Sequence, residues 1–135
     1  MGATGFIGAR LVRAFAAAGH EVSCASRSTQ GLPEGCTRHV PLDYTALPNV
    51  EDLRRAVMGH DVVINAVGIL RERGRQTFAA LHDGGPRALF AACVAAGVPR
   101  VIQISGLGAA PGAVARYLIN VSPLASNDAF SAVGN

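Results

Sequence analysis

Apolar residues recur along the chain with alternating helical and strand-like spacing. Over residues 7–18 they fall at helical spacing, and Gly19 can adopt the left-handed conformation in which helices commonly end. Over residues 20–25 the pattern changes to alternation, with Val22 and Cys24 on one face. This part of the chain therefore predicts a helix followed by a strand.

The next segment predicts a second strand and a second helix. Residues 31–36 have the composition of a turn, and residues 40–42 predict a short strand that Pro41 would restrict to a sheet edge. A helix over residues 49–58 follows, with Asn49 as its N-terminal cap. The helices and strands thus continue to alternate.

Further along the chain, residues 61–67 (DVVINAV) form a nearly continuous apolar run that predicts a parallel strand buried on both faces. A helix over about 76–81 should be interrupted by the glycine pair at 84–85. A second helical piece over 86–96 then begins at its proline. Residues 100–105 (RVIQIS) predict another buried strand. Strands that alternate with helices in this way predict an α/β fold with a parallel sheet.

Composition and charge exclude several classes of protein. Half of the 135 residues are hydrophobic and 16% are charged, which is typical of a soluble folded chain. The formal net charge is +3, and all 12 basic residues are arginines, because the sequence contains no lysine. The arginines are scattered without interleaved aromatics, so nucleic-acid binding is not expected. No run approaches the ~20 apolar residues of a membrane span.

The three cysteines predict neither a metal site nor a disulfide framework, because their number is odd and no C-x-x-C pair occurs. Cys24 and Cys93 fall on apolar faces, where a buried and inert thiol is expected. Free thiols suit a reducing compartment, and we expect the protein in the cytoplasm.

The loop GATGFIG over residues 2–8 has the spacing G-x-x-G-x-x-G and leads directly into the first predicted helix. A pyrophosphate binds backbone N–H groups at a helix N-terminus, and side chains on the loop would hold it away. The alternative is a glycine-rich turn that only tightens the junction. The cofactor-binding candidates in this loop are Gly2, Thr4, Gly5, Phe6, Ile7 and Gly8.

The same loop resembles that of the short-chain dehydrogenase/reductase superfamily, in its extended or atypical branch. Three further segments resemble that family: NAVG at 65–68, HDGGPRAL at 82–89 and QISGLGA at 103–109. The likeness covers residues 2 to about 112 and is strongest to NAD(P)-binding subunits attached to respiratory complex I and to NmrA-like proteins. It implies a Rossmann-like, doubly wound parallel sheet that binds a dinucleotide. Further cofactor-binding residues implied by the resemblance are Asn65, Ala66, Val67, Gly68 and Ser105.

Two positions bear on which dinucleotide is bound. NAD-specific members of the family carry an acidic residue after the second strand, whereas this chain has Arg27 flanked by hydroxyl residues. An arginine suits a 2′-phosphate, so NADP(H) is preferred and NAD is the alternative. Asp43 matches a family aspartate near the adenine. The plainer interpretations are a solvated arginine and a turn aspartate.

The catalytic pattern of the family is incomplete in this sequence. Its proton transfer uses Tyr-x-x-x-Lys together with a serine or threonine. Tyr117 is followed four residues later by Val121, and Ser105 lies one position before the family's serine, where this chain has Gly106. Ser105 and Tyr117 are therefore weak catalytic candidates. Two interpretations stay open: part of an NADP-dependent oxidoreductase, or a non-catalytic nucleotide-binding or assembly module.

The resemblance also predicts how the chain is organised. Residues 1–112 would form an incomplete NAD(P)-binding domain, and residues 113–135 an irregular tail in place of the Tyr-x-x-x-Lys helix. The family's first strand would precede Gly2, and its C-terminal substrate lobe would follow the tail. We therefore expect a fragment of marginal stability, which an added apolar strand before the glycine loop should stabilise.

Overall fold

In the computed structural model, residues 1–46 and 48–105 are described, and they alternate between helices and parallel strands. Tyr117 and Gly106, named above for the catalytic pattern, lie outside these residues. The elements in chain order are α1 (Phe6–Ala17), β1 (Val22–Ser26), β2 (Cys36–Pro41), a 3₁₀ turn (Tyr44–Ala46), α2 (Val50–Val57), β3 (Val62–Asn65), a π-helical segment (Ala79–Gly84), α3 (Gly85–Ala96) and β4 (Arg100–Gln103).

The four strands pair in two separate parallel sheets within the described residues. β1 pairs with β2, from Val22 beside Cys36 to Ser26 beside Pro41. β3 pairs with β4 over its whole length. The predicted α/β fold with parallel, Rossmann-like pairing is confirmed, and the sheet is divided between β1 and β3.

The first two residues bridge that division. The N-terminal amine of Met1 donates to the Ile64 carbonyl, and the Ala66 N–H donates to the Met1 carbonyl at 3.1 Å. On the other side, the Gly2 N–H donates to the Ala25 carbonyl at 3.1 Å. Residues 1–2 therefore lie between β1 and β3 and hold the glycine loop beside the ends of both strands.

Two apolar clusters stabilise this arrangement. The larger one joins α2, α3 and β3 through residues such as Leu53, Val63 and Leu89. The smaller one joins the glycine loop, α1 and β1 through Ala3, Val12 and Cys24. Each cluster lies beside one of the two sheets.

The ends of the helices follow the local signals in the sequence. Gly19 and Gly97 both have positive φ angles, of 85° and 67°, just beyond the ends of α1 and α3. The Asn49 side chain accepts from the Asp52 N–H at 2.8 Å and caps α2. These predicted caps and stops are confirmed.

Three strands differ from the prediction. The pattern predicts β4 as a buried strand, but none of its residues is buried, and Ile102 is 36% exposed. β2 begins at Cys36 rather than at residue 40, because Cys36, Arg38 and His39 pair with β1. Thr37 lies at an irregularity in this pairing, and its hydroxyl donates to the Val22 carbonyl at 3.1 Å. β3 is not buried on both faces: Val63 is buried, but Val62 is 41% exposed. Val63 packs into the larger apolar cluster, whereas the main strand contacts of α1 are with β1 and β2.

The two predicted helical pieces are confirmed, with Pro86 in the first turn of the second, but the glycine pair at 84–85 does not interrupt the helix. The π-helical segment continues into α3, and both glycines have helical backbone angles. Pro86 has no N–H and cannot make the usual bond to the residue four positions earlier. The wider turn accommodates it, and the Gly85 N–H donates to the carbonyl of Ala80, five residues before it.

Candidate functional site

The loop over residues 2–8 comes within van der Waals distance of the segment after β3. Gly2 has a φ of 74°, and a Cβ there would lie 2.9 Å from the carbonyl carbon of Ala66. The left-handed backbone and the close approach both require glycine at this position. This contact sets the glycine loop directly beside residues 66–67.

The other two glycines of the loop allow it to close onto α1. A Cβ on Gly8 would lie 2.0 Å from the Gly2 carbonyl oxygen, so only glycine fits there. Gly5 occupies the N-terminal cap of α1, and its N–H donates to the Gly2 carbonyl at 3.1 Å. No side chain caps α1, and its first turn carries no acidic residue. An uncapped helix N-terminus that follows the small residues at positions 2–5 is suited to a phosphate.

A cleft of about 190 Å³ opens at the carboxyl ends of β1, β2 and β3. In open α/β sheets this is the edge where ligands bind. The residues that line it are Gly2, Thr4, Gly5, Ala25, Ser26, Arg27, Leu42, Asp43, Tyr44, Thr45, Ala66, Val67, Gly68, Ile69, Gln76 and Leu81.

Most of the residues predicted to bind a cofactor lie together in this cleft. The glycine loop contributes one wall, and the chain after each of three strands contributes the others. The predicted residues among those that line the cleft are Gly2, Thr4, Gly5, Arg27, Asp43, Ala66, Val67 and Gly68.

Five predicted residues lie outside the lining. Phe6 and Ile7 are exposed on the first turn of α1, and the Phe6 ring stacks under the Arg10 guanidinium at 3.7 Å. Gly8 and Asn65 are buried, whereas Ser105 is exposed just after β4. A direct role of these five residues in binding stays a prediction.

The interpretation of Asp43 as a turn aspartate is confirmed, whereas its role near the adenine stays a prediction. Its carboxylate accepts from the Thr45 N–H at 2.9 Å and from the Thr45 hydroxyl at 2.8 Å, which starts the 3₁₀ turn. The same residue lines the cleft. Asp43 is thus a turn aspartate that the turn holds at the edge of the site.

His82 supports the opposite wall, a role that its place in the HDGGPRAL segment did not indicate. The ring is buried, and its Nε2 accepts from the Ile69 N–H at 2.9 Å. Because an accepting nitrogen carries no proton, the ring in this geometry has its proton on Nδ1. His82 therefore fixes the loop that follows β3.

Further lining residues could not be identified from the sequence pattern. Tyr44 and Thr45 reach the cleft through the 3₁₀ turn, and Arg75 donates to the Thr45 carbonyl at 2.9 Å from a distant loop. These placements depend on contacts between residues far apart in sequence. No short motif marks them.

Burial governs the titration of three groups near the core. It raises the pKa of the Tyr44 hydroxyl, which donates to Asn65 Oδ1 at 3.3 Å. It also raises the pKa of Cys24 to about 12 and that of Cys93 to about 11. Both thiols are buried and stay protonated near neutral pH, as expected for inert core cysteines.

Within the ranges 1–46 and 48–105, no helix is long and apolar enough to cross a bilayer.

Comparisons with known proteins agree with this geometry. A family model described as NAD(P)H-binding matches residues 2–127. No curated protein matches the chain. Among solved structures, one of MoeE5 in complex with UDP-glucose and NAD is 25% identical, with a TM-score of 0.74 over 98% of this chain and 47% of that one.

Two other solved structures share the fold. Uronate dehydrogenase from Agrobacterium tumefaciens is 23% identical, with a TM-score of 0.67 over 89% of this chain and 49% of that one. The oxidoreductase ylbE from Lactococcus lactis is 22% identical, with a TM-score of 0.67 over 79% of this chain and 47% of that one. The chain thus spans about half the length of the structures that it matches.

Proposed function

Because the chain belongs to the NAD(P)H-binding family, we propose that it is the cofactor-binding part of an oxidoreductase and that it prefers NADP(H). One observation carries the proposal: a single cleft brings together the glycine loop, Arg27, Asp43 and residues 66–68. These are the groups that a bound dinucleotide needs along its length.

The glycine loop and α1 would hold the pyrophosphate. Gly2 and Gly8 have no space for a Cβ, and the uncapped N-terminus of α1 offers backbone N–H groups and a favourable dipole. When bound, the nicotinamide would supply a hydride donor or acceptor. The chain's own contribution is to bind and orient the cofactor.

Arg27 would select the phosphorylated dinucleotide. It follows β1, lines the cleft and is exposed. Its neighbours in the loop are serines and a threonine rather than an acidic residue. A guanidinium can pair with a 2′-phosphate, whereas a carboxylate at this place would repel it.

Substitution of Arg27 by alanine tests the proposal. We expect wild-type chain to bind NADPH more tightly than NADH by about tenfold or more, because a hydrogen bond to a charged group contributes ~1.5–3 kcal/mol. Arg27→Ala should abolish that preference, as measured by fluorescence titration with both nucleotides. The control is Arg13→Ala, on an exposed position of α1 outside the cleft. Equal wild-type affinities would contradict the preference, and absence of binding would contradict the site.

A second candidate is a nucleotide-binding or assembly module without catalysis. The observation that favours it is the complete absence of lysine from the sequence, since the resembled family uses Tyr-x-x-x-Lys. The two candidates differ in hydride transfer. Oxidation of NADPH in the presence of a panel of aldehydes and ketones, followed by absorbance, separates them.

We also propose a cytoplasmic location, which the free thiols of Cys24, Cys36 and Cys93 support.

A further inference from the structure

A hydrogen-bonded chain runs from β2 to the residue just before Arg27. The Nε2 of His39 lies 3.1 Å from the Ser26 carbonyl oxygen and 3.0 Å from the Ser26 hydroxyl. A carbonyl oxygen can only accept, so Nε2 carries a proton and His39 donates to Ser26. The contact joins β2 to the end of β1, where the cleft begins.

The chain continues to the other side of Arg27. The Ser26 hydroxyl donates to the Ser28 carbonyl at 2.6 Å, and the Ser28 hydroxyl accepts from the Gln30 N–H at 3.0 Å. The Ser26 carbonyl also accepts from the Leu42 N–H at 3.0 Å. Hydrogen bonds thus fix residues 26 and 28, whereas the Arg27 side chain between them is exposed at the cleft.

We propose that His39 is a positioning residue for NADP(H) selection, acting on Arg27 through Ser26 and Ser28. The inference rests on the proposed preference for NADP(H). A long arginine side chain loses conformational entropy when it binds a phosphate. If the backbone on both sides of the arginine is already fixed, less entropy is lost on binding and the affinity is higher. His39 therefore contributes to NADPH affinity and has no comparable effect on NADH, which lacks the 2′-phosphate.

A double-mutant cycle on the full chain tests this role. The affinities for NADPH and NADH are measured for wild type, His39→Ala, Arg27→Ala and the double variant, with adenosine 2′,5′-bisphosphate and 5′-AMP as smaller probes. We expect His39→Ala to reduce the NADPH preference about three- to tenfold, the range of one neutral hydrogen bond. In the Arg27→Ala background, the same substitution should have no further effect.

Two further variants keep the test independent of the stability of His39→Ala. Ser26→Ala removes the hydroxyl that links His39 to Ser28 and should lower the preference in the same way. His39→Gln retains an N–H donor and should restore at least part of the preference. Thermal melting of each variant is recorded together with its affinities. If His39→Ala does not fold, Ser26→Ala and His39→Gln replace it in the comparison.

The outcomes separate the inference from the function on which it rests. If Arg27→Ala abolishes the preference while His39→Ala and Ser26→Ala leave it intact, the positioning role is wrong and the NADP(H) preference stands. If His39→Ala lowers NADPH affinity equally in the Arg27→Ala background, His39 contacts the cofactor itself and the positioning role is again wrong. If wild type does not discriminate between the two nucleotides, both proposals fail.

Discussion

Asn65 is fully buried, and both polar atoms of its amide are used within the protein. Its Oδ1 accepts from the Tyr44 hydroxyl and from the Val67 N–H, each at 3.3 Å. Its Nδ2 donates to Gln103 Oε1 at 2.8 Å. The side chain thus connects the 3₁₀ turn, the cleft wall after β3 and the last residue of β4.

Removal of this amide should destabilise the chain. Asn65→Ala leaves the buried Tyr44 hydroxyl and the half-buried Gln103 amide without this partner, and a buried polar group left unpaired costs ~1–3 kcal/mol. We expect the free energy of unfolding to fall by at least about 1 kcal/mol in urea titrations. Tyr44→Phe is the matched control, because it removes only one hydroxyl and should cost less. If Asn65→Ala has the same free energy of unfolding as the wild type, the hydrogen bonds of Asn65 contribute nothing to stability.

At the scale of elements, the continuous helical run from the π-helical segment into α3 contains two adjacent glycines with different surroundings. A Cβ on Gly84 would meet only the Ala79 carbonyl oxygen, at 3.5 Å, an ordinary contact. A Cβ on Gly85 would lie 2.5 Å from Cγ of the buried Tyr44 ring. Only the second glycine is required for packing.

Alanine substitutions at these two positions should therefore have opposite effects. Gly84→Ala should stabilise the chain by up to about 1 kcal/mol, since alanine favours a helical backbone. Gly85→Ala should destabilise it by about 1–3 kcal/mol, because the ring or the helix must move. Thermal melting of the two variants side by side measures both effects. Equal shifts of the two melting temperatures would contradict the proposed contact with Tyr44.

At the scale of the whole molecule, residues 1–2 make backbone hydrogen bonds that join the two sheets between β1 and β3. The Met1 amine lies buried between β1 and β3, where it donates to the Ile64 carbonyl. Burial lowers its pKa from 8.0 to about 6. In the 135-residue polypeptide this amine is therefore an ionisable group between β1 and β3.

This amine makes stability depend on pH in a defined window. Between pH 6 and 8 the unfolded 135-residue chain binds a proton that the folded chain does not, so stability falls as the pH falls. The loss from this group is complete only below pH 6, where both states bind the proton, and reaches at most about 3 kcal/mol. An Nα-acetylated chain is the control, because it keeps the N–H donor without the charge. The same pH dependence in both chains, measured by urea unfolding, would rule out the amine as its source.

The sequence alone determined the local features of this protein. The glycine loop, the start of α1, the cap at Asn49 and the stops at Gly19 and Gly97 depend on neighbouring residues and backbone angles, which a short pattern specifies. The resemblance of its motifs also led to the NAD(P)-binding family. The ends of the strands were predicted less accurately, because they depend on which residues of a neighbouring strand are available for pairing.

Only the tertiary structure decided which residues share the site and which features join distant segments. Arg27, Asp43 and residues 66–68 meet in one cleft because the ends of parallel strands converge there. The contact of Gly85 with Tyr44, and that of His39 with Ser26, likewise join residues more than ten positions apart. No local pattern encodes such contacts, since their geometry exists only after the helices and strands have packed together.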